Sequence, residues 1–159
     1  MMDKILSLLA KDARMSAAEI AQRLNMTENE VAEKMAQYEE SGVIIGYRAL
    51  LDPEKCVDLP VRALIEVRVL PYKGHGFERV ARHIAQFPEV RSISLMSGGF
   101  DLCAEVEGSS MQEVALFVAE KLATIDGVMG TATHFVLRRY KYEGVHCGQD
   151  VKDERGFTL

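Results

Sequence analysis

The stretch TENEVAEKMAQYEESGVIIGYRALL, residues 27–51, contains the change of period on which the fold turns. Its first half is helical. Thr27 stands three residues before Glu30, the spacing of a capping box: the hydroxyl accepts an N–H one turn on, and the carboxylate reaches back to the N–H of the cap. Val31, Met35 and Tyr38 recur on one face, and Gly42 is the residue type favoured just past a helix end. From Val43 to Leu51 the composition becomes β-rich, until Asp52-Pro53 stops the run.

Toward the N-terminus, Ser16 and Glu19 form a second capping box, followed by Ile20, Ala21 and Leu24 on one face. Ile5, Leu6, Leu8 and Leu9 give a further helical stripe between Asp3 and Lys11. Only a tight turn fits between Leu24 and Thr27, so the last two helices join as a helix-turn-helix, with the strand-like segment after Gly42 a candidate wing. Toward the C-terminus, Val61, Ala63, Ile65, Val67 and Val69 alternate with Arg62, Glu66 and Arg68, as a half-buried strand requires. Pro71–Gly76 reads as a loop, and Phe77, Val80, Ala81, Ile84 and Phe87 as a helix face closed by Pro88. Val90–Met96 and Leu102–Val106 are strands around the turn Ser97-Gly98-Gly99-Phe100-Asp101. Ser110 and Glu113 open a helix carrying Val114, Phe117, Val118 and Leu122 inward, and Thr131–Tyr140 is the last strand. The order β-α-β-β-α-β predicts a ferredoxin-like antiparallel sheet with both helices on one face. The fold class is therefore α+β. Residues 1–50 form a winged helix-turn-helix, 51–60 a linker, 61–142 a second domain and 143–159 a tail of mixed charge.

The chain has 159 residues, 48% of them hydrophobic, enough for two small cores. Its 19 Lys+Arg stand against 24 Asp+Glu, a formal charge of −5, which excludes a polyanion binder that works through its whole surface. No apolar run is long enough to span a bilayer, and no signal peptide is evident at Met1-Met2-Asp3-Lys4. Cys56, Cys103 and Cys147 are widely spaced and lack a CxxC, so reduced thiols and a cytoplasmic location are expected. His75, His83, His134 and His146 show no zinc-ligand spacing with these cysteines; His146-Cys147 is at most a soft-metal pair. No phosphate loop, nucleotide fingerprint or nucleophile–base arrangement appears, and no cofactor is expected.

In a helix-turn-helix the last helix enters the major groove of double-stranded DNA. Thr27 and Asn29 would then lie near base edges, with Lys34 and Gln37 further along and Glu30 held by its capping role. The helix is acid-rich: between Thr27 and Ser41, Glu28, Glu30, Glu33, Glu39 and Glu40 face Lys34 alone. Either these acids lie away from DNA, leaving Arg14, Lys34 and Arg48 to touch phosphate, or the head has drifted from DNA binding. At the Ser97-Gly98-Gly99 turn, backbone N–H groups are open to a carboxylate, and Asp101 is placed to pair with an ammonium. The alternative is an ordinary hairpin turn with Asp101 bonding its own backbone.

The whole arrangement resembles the Lrp/AsnC, or feast/famine, family of transcriptional regulators. The likeness rests on Asp12–Ser16, Glu39–Tyr47, Ser97–Asp101 and Thr131–Thr133, in that order, and spans Ile5 to about Lys141. It implies a DNA-binding head and a body that binds an effector, commonly an amino acid, at Ser97, Gly98, Gly99 and Asp101 between dimers. It further implies a homodimer that assembles into higher oligomers, commonly octamers. Thr131 and Thr133 would add hydroxyls, though threonines also simply favour strands. The family often carries an acid where this chain has Gly99. Siroheme decarboxylases resemble the same architecture; such an enzyme would draw on Arg91, His134, Arg138 and Arg139, for which no enzyme motif speaks. A sensor acting through another regulator is a third reading.

Overall fold

The computed structural model describes residues 2–70 and 76–148; of the loop expected at Pro71–Gly76 only Gly76 is described, as the first residue of a helix, and the end of the tail lies outside the described residues. The chain divides into two compact units, Met1–Leu50 and Leu51–Leu159.

The first unit holds α1 (Lys4–Leu9), α2 (Ala17–Leu24) and α3 (Glu28–Glu40). Both capping boxes form. Ser16 Oγ accepts from Glu19 N at 3.2 Å and Thr27 Oγ1 from Glu30 N at 3.3 Å, while each glutamate accepts from the backbone N–H of its cap. Asn25 ends α2 in the left-handed region (φ 56°), which asparagine tolerates better than a branched residue, and α3 starts after only Met26 and Thr27. Ile5, Leu9, Met15, Ile20, Ala21 and Val31 make the core, with Leu24, Met35, Tyr38 and Ile44 packed against it.

The strand expected over Val43–Leu51 does not form: Ile45 to Leu50 carry no regular structure. A strand exists only through its ladder, and among the described residues none pairs with this segment. Instead Ile44 N donates to Tyr38 O at 2.9 Å, and Tyr47 Oη donates to Glu39 Oε1 at 2.8 Å. Val43, Ile45 and Tyr47 stay 57%, 97% and 46% exposed.

The second unit contains β1 (Val61–Val69), α4 (Gly76–Ile84), β2 (Val90–Leu95), β3 (Leu102–Gly108), α5 (Met111–Phe117) and β4 (Val128–Phe135). The sheet is antiparallel in the order β2-β3-β1-β4, so the expected β-α-β-β-α-β order is present. On one face Ala63, Ile65, Val67 and Val69 of β1 and Leu102, Ala104 and Val106 of β3 pack under Val80 and Ile84 of α4 and Val114 and Phe117 of α5. A π-helical turn, Val118–Leu122, extends α5 and keeps Val118 and Leu122 in the same core. The other face carries Arg62, Leu64, Glu66 and Arg68 of β1 opposite Cys103, Glu105 and Glu107 of β3.

The last strand is shorter at its C-terminal end than the expected Thr131–Tyr140, and the tail is not aperiodic at its start. β5 (Lys141–Tyr142) and β6 (Val145–His146) form a hairpin whose two central residues, Glu143 (φ 47°) and Gly144 (φ 82°), take the positive φ of a tight mirror-image turn. Beyond it, Gly148 N donates to Asp52 Oδ2 at 3.1 Å, and Arg138 pairs with Glu54, so the hairpin is clasped to the segment ahead of β1.

The capping boxes make the head sensitive to acid. Glu19 and Glu30 are held below the ordinary carboxyl value of 4.5, chiefly by the backbone and hydroxyl donors of Ser16 and Thr27. Their folded values are depressed, so their contribution is complete above pH 4.5 and is lost as pH falls through the lower folded values. Thr27→Ala is expected to cost about 1 kcal/mol of stability at neutral pH. It should also flatten the acid limb of a melting-temperature-against-pH curve followed by circular dichroism.

Candidate functional site

Two regions collect the residues singled out above. The first is the outward side of α3. At about 3.6 residues per turn, Asn29, Glu33, Ala36 and Glu40 align opposite the buried Val31, with Gln37 beside them. Lys34 lies elsewhere: it is half-buried on the flank next to Met35, one turn after Glu30. Thr27 is exposed, but its hydroxyl both donates to Glu30 Oε2 (2.8 Å) and accepts from Glu30 N. It is engaged in the cap that starts the helix. Arg14 is exposed in the turn before α2, where its N–H bonds Asp12 Oδ1 at 3.0 Å, and Arg48 is exposed in the unpaired segment. Asn29 and Gln37 therefore share the outer side, whereas Arg14, Lys34 and Arg48 do not line it. Glu33 does, although in the sequence it is one acid among five in this helix. Its spacing, four residues after Asn29 and four before Gln37, was the available signal.

The second region is the end of the sheet where β1 and β2 finish and β3 and β4 begin. The Ser97–Phe100 turn is closed by Met96 N donating to Asp101 O (2.8 Å) and docked by Asp101 N donating to Val67 O (3.1 Å). Asp101 Oδ2 accepts from Val69 N at 2.8 Å. The carboxylate thus bonds the end of β1 and not the backbone of its own turn, and only Oδ1 is left without a protein partner among the described residues. Ser97, Gly98 and Gly99 are exposed, and a Cβ on either glycine would meet nothing within 4 Å. Neither glycine takes the left-handed region, so what they contribute is open backbone rather than a special conformation.

Thr131 stands opposite Val67 and Thr133 opposite Ile65, which puts both half-buried threonines on the helix-covered side of the edge strand β4. Thr131 is at the level of the turn, and Thr133 one pleat further in. Four exposed apolar side chains, Leu70, Leu95, Met96 and Met129, belong to the same end of the sheet. Sequence reasoning did not find these, because each ends or follows a strand where period carries no information.

The residues an enzyme reading would need are tied to carboxylates. Arg91 pairs with Glu107 at 3.1 Å, His134 with Glu66 at 3.1 Å, Arg138 with Glu54 and Arg139 with Glu105. Cys103 sits on the sheet face among them; burial, then the Glu66 and Glu105 charges, push its thiol up and away from nucleophilic use. Among the described residues no three His, Cys, Asp or Glu side chains are grouped to hold a metal, and Cys147 Sγ donates to Val145 O at 3.9 Å. No helix there is long and apolar enough to cross a membrane.

Residues 4–45 match the model of a winged helix-turn-helix DNA-binding domain, and residues 62–145 that of the Lrp/AsnC ligand binding domain. The chain is 43% identical over 143 residues to the uncharacterized HTH-type transcriptional regulator YugG of Bacillus subtilis, covering 89% of this chain and 86% of that protein. It is 29% identical to the leucine-responsive regulatory protein of Haemophilus influenzae, covering 87% and 82%. Transcriptional regulator NMB0573 of Neisseria meningitidis, solved as a complex with L-Met, superposes with a TM-score of 0.70 at 28% identity, covering 89% and 94%. These relatives are named as regulators, not enzymes.

The Asp101 geometry makes a separable prediction about stability. Asp101→Ala leaves the N–H of the buried Val69 without its acceptor, which should cost about 1–3 kcal/mol in urea unfolding. Asp101→Asn keeps an acceptor oxygen and should lose less than half of that.

Proposed function

The chain belongs to the Lrp/AsnC family of transcriptional regulators, and we propose that it binds double-stranded DNA through its head and an amino acid at the open end of its sheet. The observation that carries this reading is the coexistence, in one chain, of an exposed α3 outer side and an exposed glycine turn docked on β1. The backbone N–H groups of Ser97, Gly98 and Gly99 take the effector carboxylate, Oδ1 of Asp101 takes its ammonium, and Thr131 and Thr133 flank it. Leu70, Leu95, Met96 and Met129 favour an apolar side chain, in keeping with the L-Met bound by the Neisseria protein.

On the DNA side, Asn29 and Gln37 reach base edges, Thr27 holds the helix start, and Arg14, Lys34 and Arg48 approach phosphates. With so few cations each head binds weakly, so affinity is built by several heads on one assembly. A homodimer, assembling further toward an octamer, supplies them. The exposed alternation of Val43, Ile45 and Tyr47 supports this, since an extended apolar edge gains a ladder when a second copy lies beside it. Effector sensing then takes place between copies. A DNA-binding head fits a cytoplasmic regulator.

Mobility-shift titration with DNA from upstream of the chain's own gene, at low salt, tests the head. Binding is expected, and Lys34→Glu with Arg48→Glu should weaken it more than tenfold. The double variant should also flatten the salt dependence by roughly one unit of log–log slope for each phosphate no longer neutralised. Unchanged binding would remove these residues from the docking surface. A thermal-shift screen of the twenty amino acids tests the body. Methionine, leucine or isoleucine should raise the melting temperature, whereas aspartate and arginine should not; a flat response to all would end the effector reading.

A further inference from the structure

We infer that Glu33 is the specificity-determining residue of α3 and that it selects cytosine in the operator, an inference that rests on the DNA-binding reading above. Three observations converge on it. First, of the five glutamates in α3, two are occupied: Glu30 by the capping box and Glu39 by the Tyr47 hydroxyl at 2.8 Å. Glu28 and Glu40 stand at the two ends of the helix. Glu33 is exposed in the second turn, and no hydrogen bond or ion pair engages it among the described residues. Secondly, it occupies the middle of the outward stripe, between Asn29 one turn before and Ala36 and Gln37 one turn after. Thirdly, that stripe contains no lysine or arginine, since Lys34 lies on the other flank.

The chemistry of base edges then limits what α3 can read. Guanine is usually read by the forked donors of an arginine, which this side of α3 lacks. Asn and Gln match the adjacent donor and acceptor of adenine, and the Ala36 methyl matches the methyl of thymine. An ionised carboxylate only accepts. It repels guanine O6 and N7 and thymine O4, and it meets the N7 acceptor beside N6 on adenine. Cytosine offers its N4 amino group with no N7 acceptor on the same ring.

Electrostatics narrows this choice further. A carboxylate carried into the groove between phosphate rows is disfavoured on every sequence, and only a facing N4 donor offsets the penalty. Glu33 therefore works largely by rejection of the other bases. Because residues 1–50 carry only six lysines and arginines against eight acids, sequence-independent attraction is weak and this single discrimination stands out against it.

Selection from random double-stranded DNA at low salt, with the full chain and with Glu33→Gln, tests the inference. The original chain should enrich a cytosine at one fixed position of each half-site, flanked by A·T pairs, and any other base there should weaken binding roughly five- to one-hundred-fold. Glu33→Gln should move the preference at that position alone to adenine, with unchanged far-ultraviolet circular dichroism. If the variant keeps cytosine, or binds all sequences more tightly by one common factor, Glu33 is only a repulsive charge and the inference is overturned. If the original chain retains DNA but enriches no sequence, the inference alone is overturned; if it retains no DNA at all, the DNA-binding reading fails and takes the inference with it.

Discussion

Strand β1 is bonded along both edges, to β3 on one side and β4 on the other, and the rest of the body depends on that double pairing. Its side chains alternate, so Ala63, Ile65, Val67 and Val69 all enter the core only in the observed register. A slip of one residue would bury Leu64, Glu66 and Arg68 instead, and two charges without partners among apolar helices would forbid it. The bond from Val69 N to Asp101 Oδ2 fixes the end of this strand against the β2–β3 turn. The position of the glycine turn is thus a consequence of the core register, because the same aspartate that closes the turn terminates the ladder.

In the head the governing constraint is local. Two capping boxes and the left-handed Asn25 set where α2 stops and α3 starts, and Val31 then fixes the rotation of α3 about its axis. Rotation is what sorts the charges. It sends Glu33 outward and Lys34 to the flank, although the two are neighbours in sequence. A head with a net acidic helix can therefore present a mixed polar edge rather than a uniform negative one.

This contrast between local and distant interactions explains what was legible in the sequence. Thr27–Glu30, Ser16–Glu19 and the alternation of β1 are signals spanning a few residues, and the structure contains all of them. The segment Val43–Leu51 has the composition of a strand, but composition does not supply a partner, and none pairs with it among the described residues. Asp101 could be marked as a functional acid from sequence, yet its bond to Val69, 32 residues away, could not. The hairpin of Lys141–His146 escaped because two-residue strands are too short to show a period. The role of Glu33 is hidden for a different reason: the net charge of a helix says nothing about which of its faces carries each acid.

The clasp between the C-terminal hairpin and the segment ahead of β1 also bears on the order in which the chain acquires structure. Gly148 bonds Asp52 and Arg138 pairs with Glu54, interactions spanning 96 and 84 residues. The head, by contrast, is a compact unit made of residues 1–50. During synthesis at about 5–20 residues per second, the head is complete for roughly 5–20 seconds before Gly148 exists to close the body. Helical contacts of short range also form fastest. The nascent chain therefore exposes every residue of the first unit well before the last strands of the second unit exist to close its sheet.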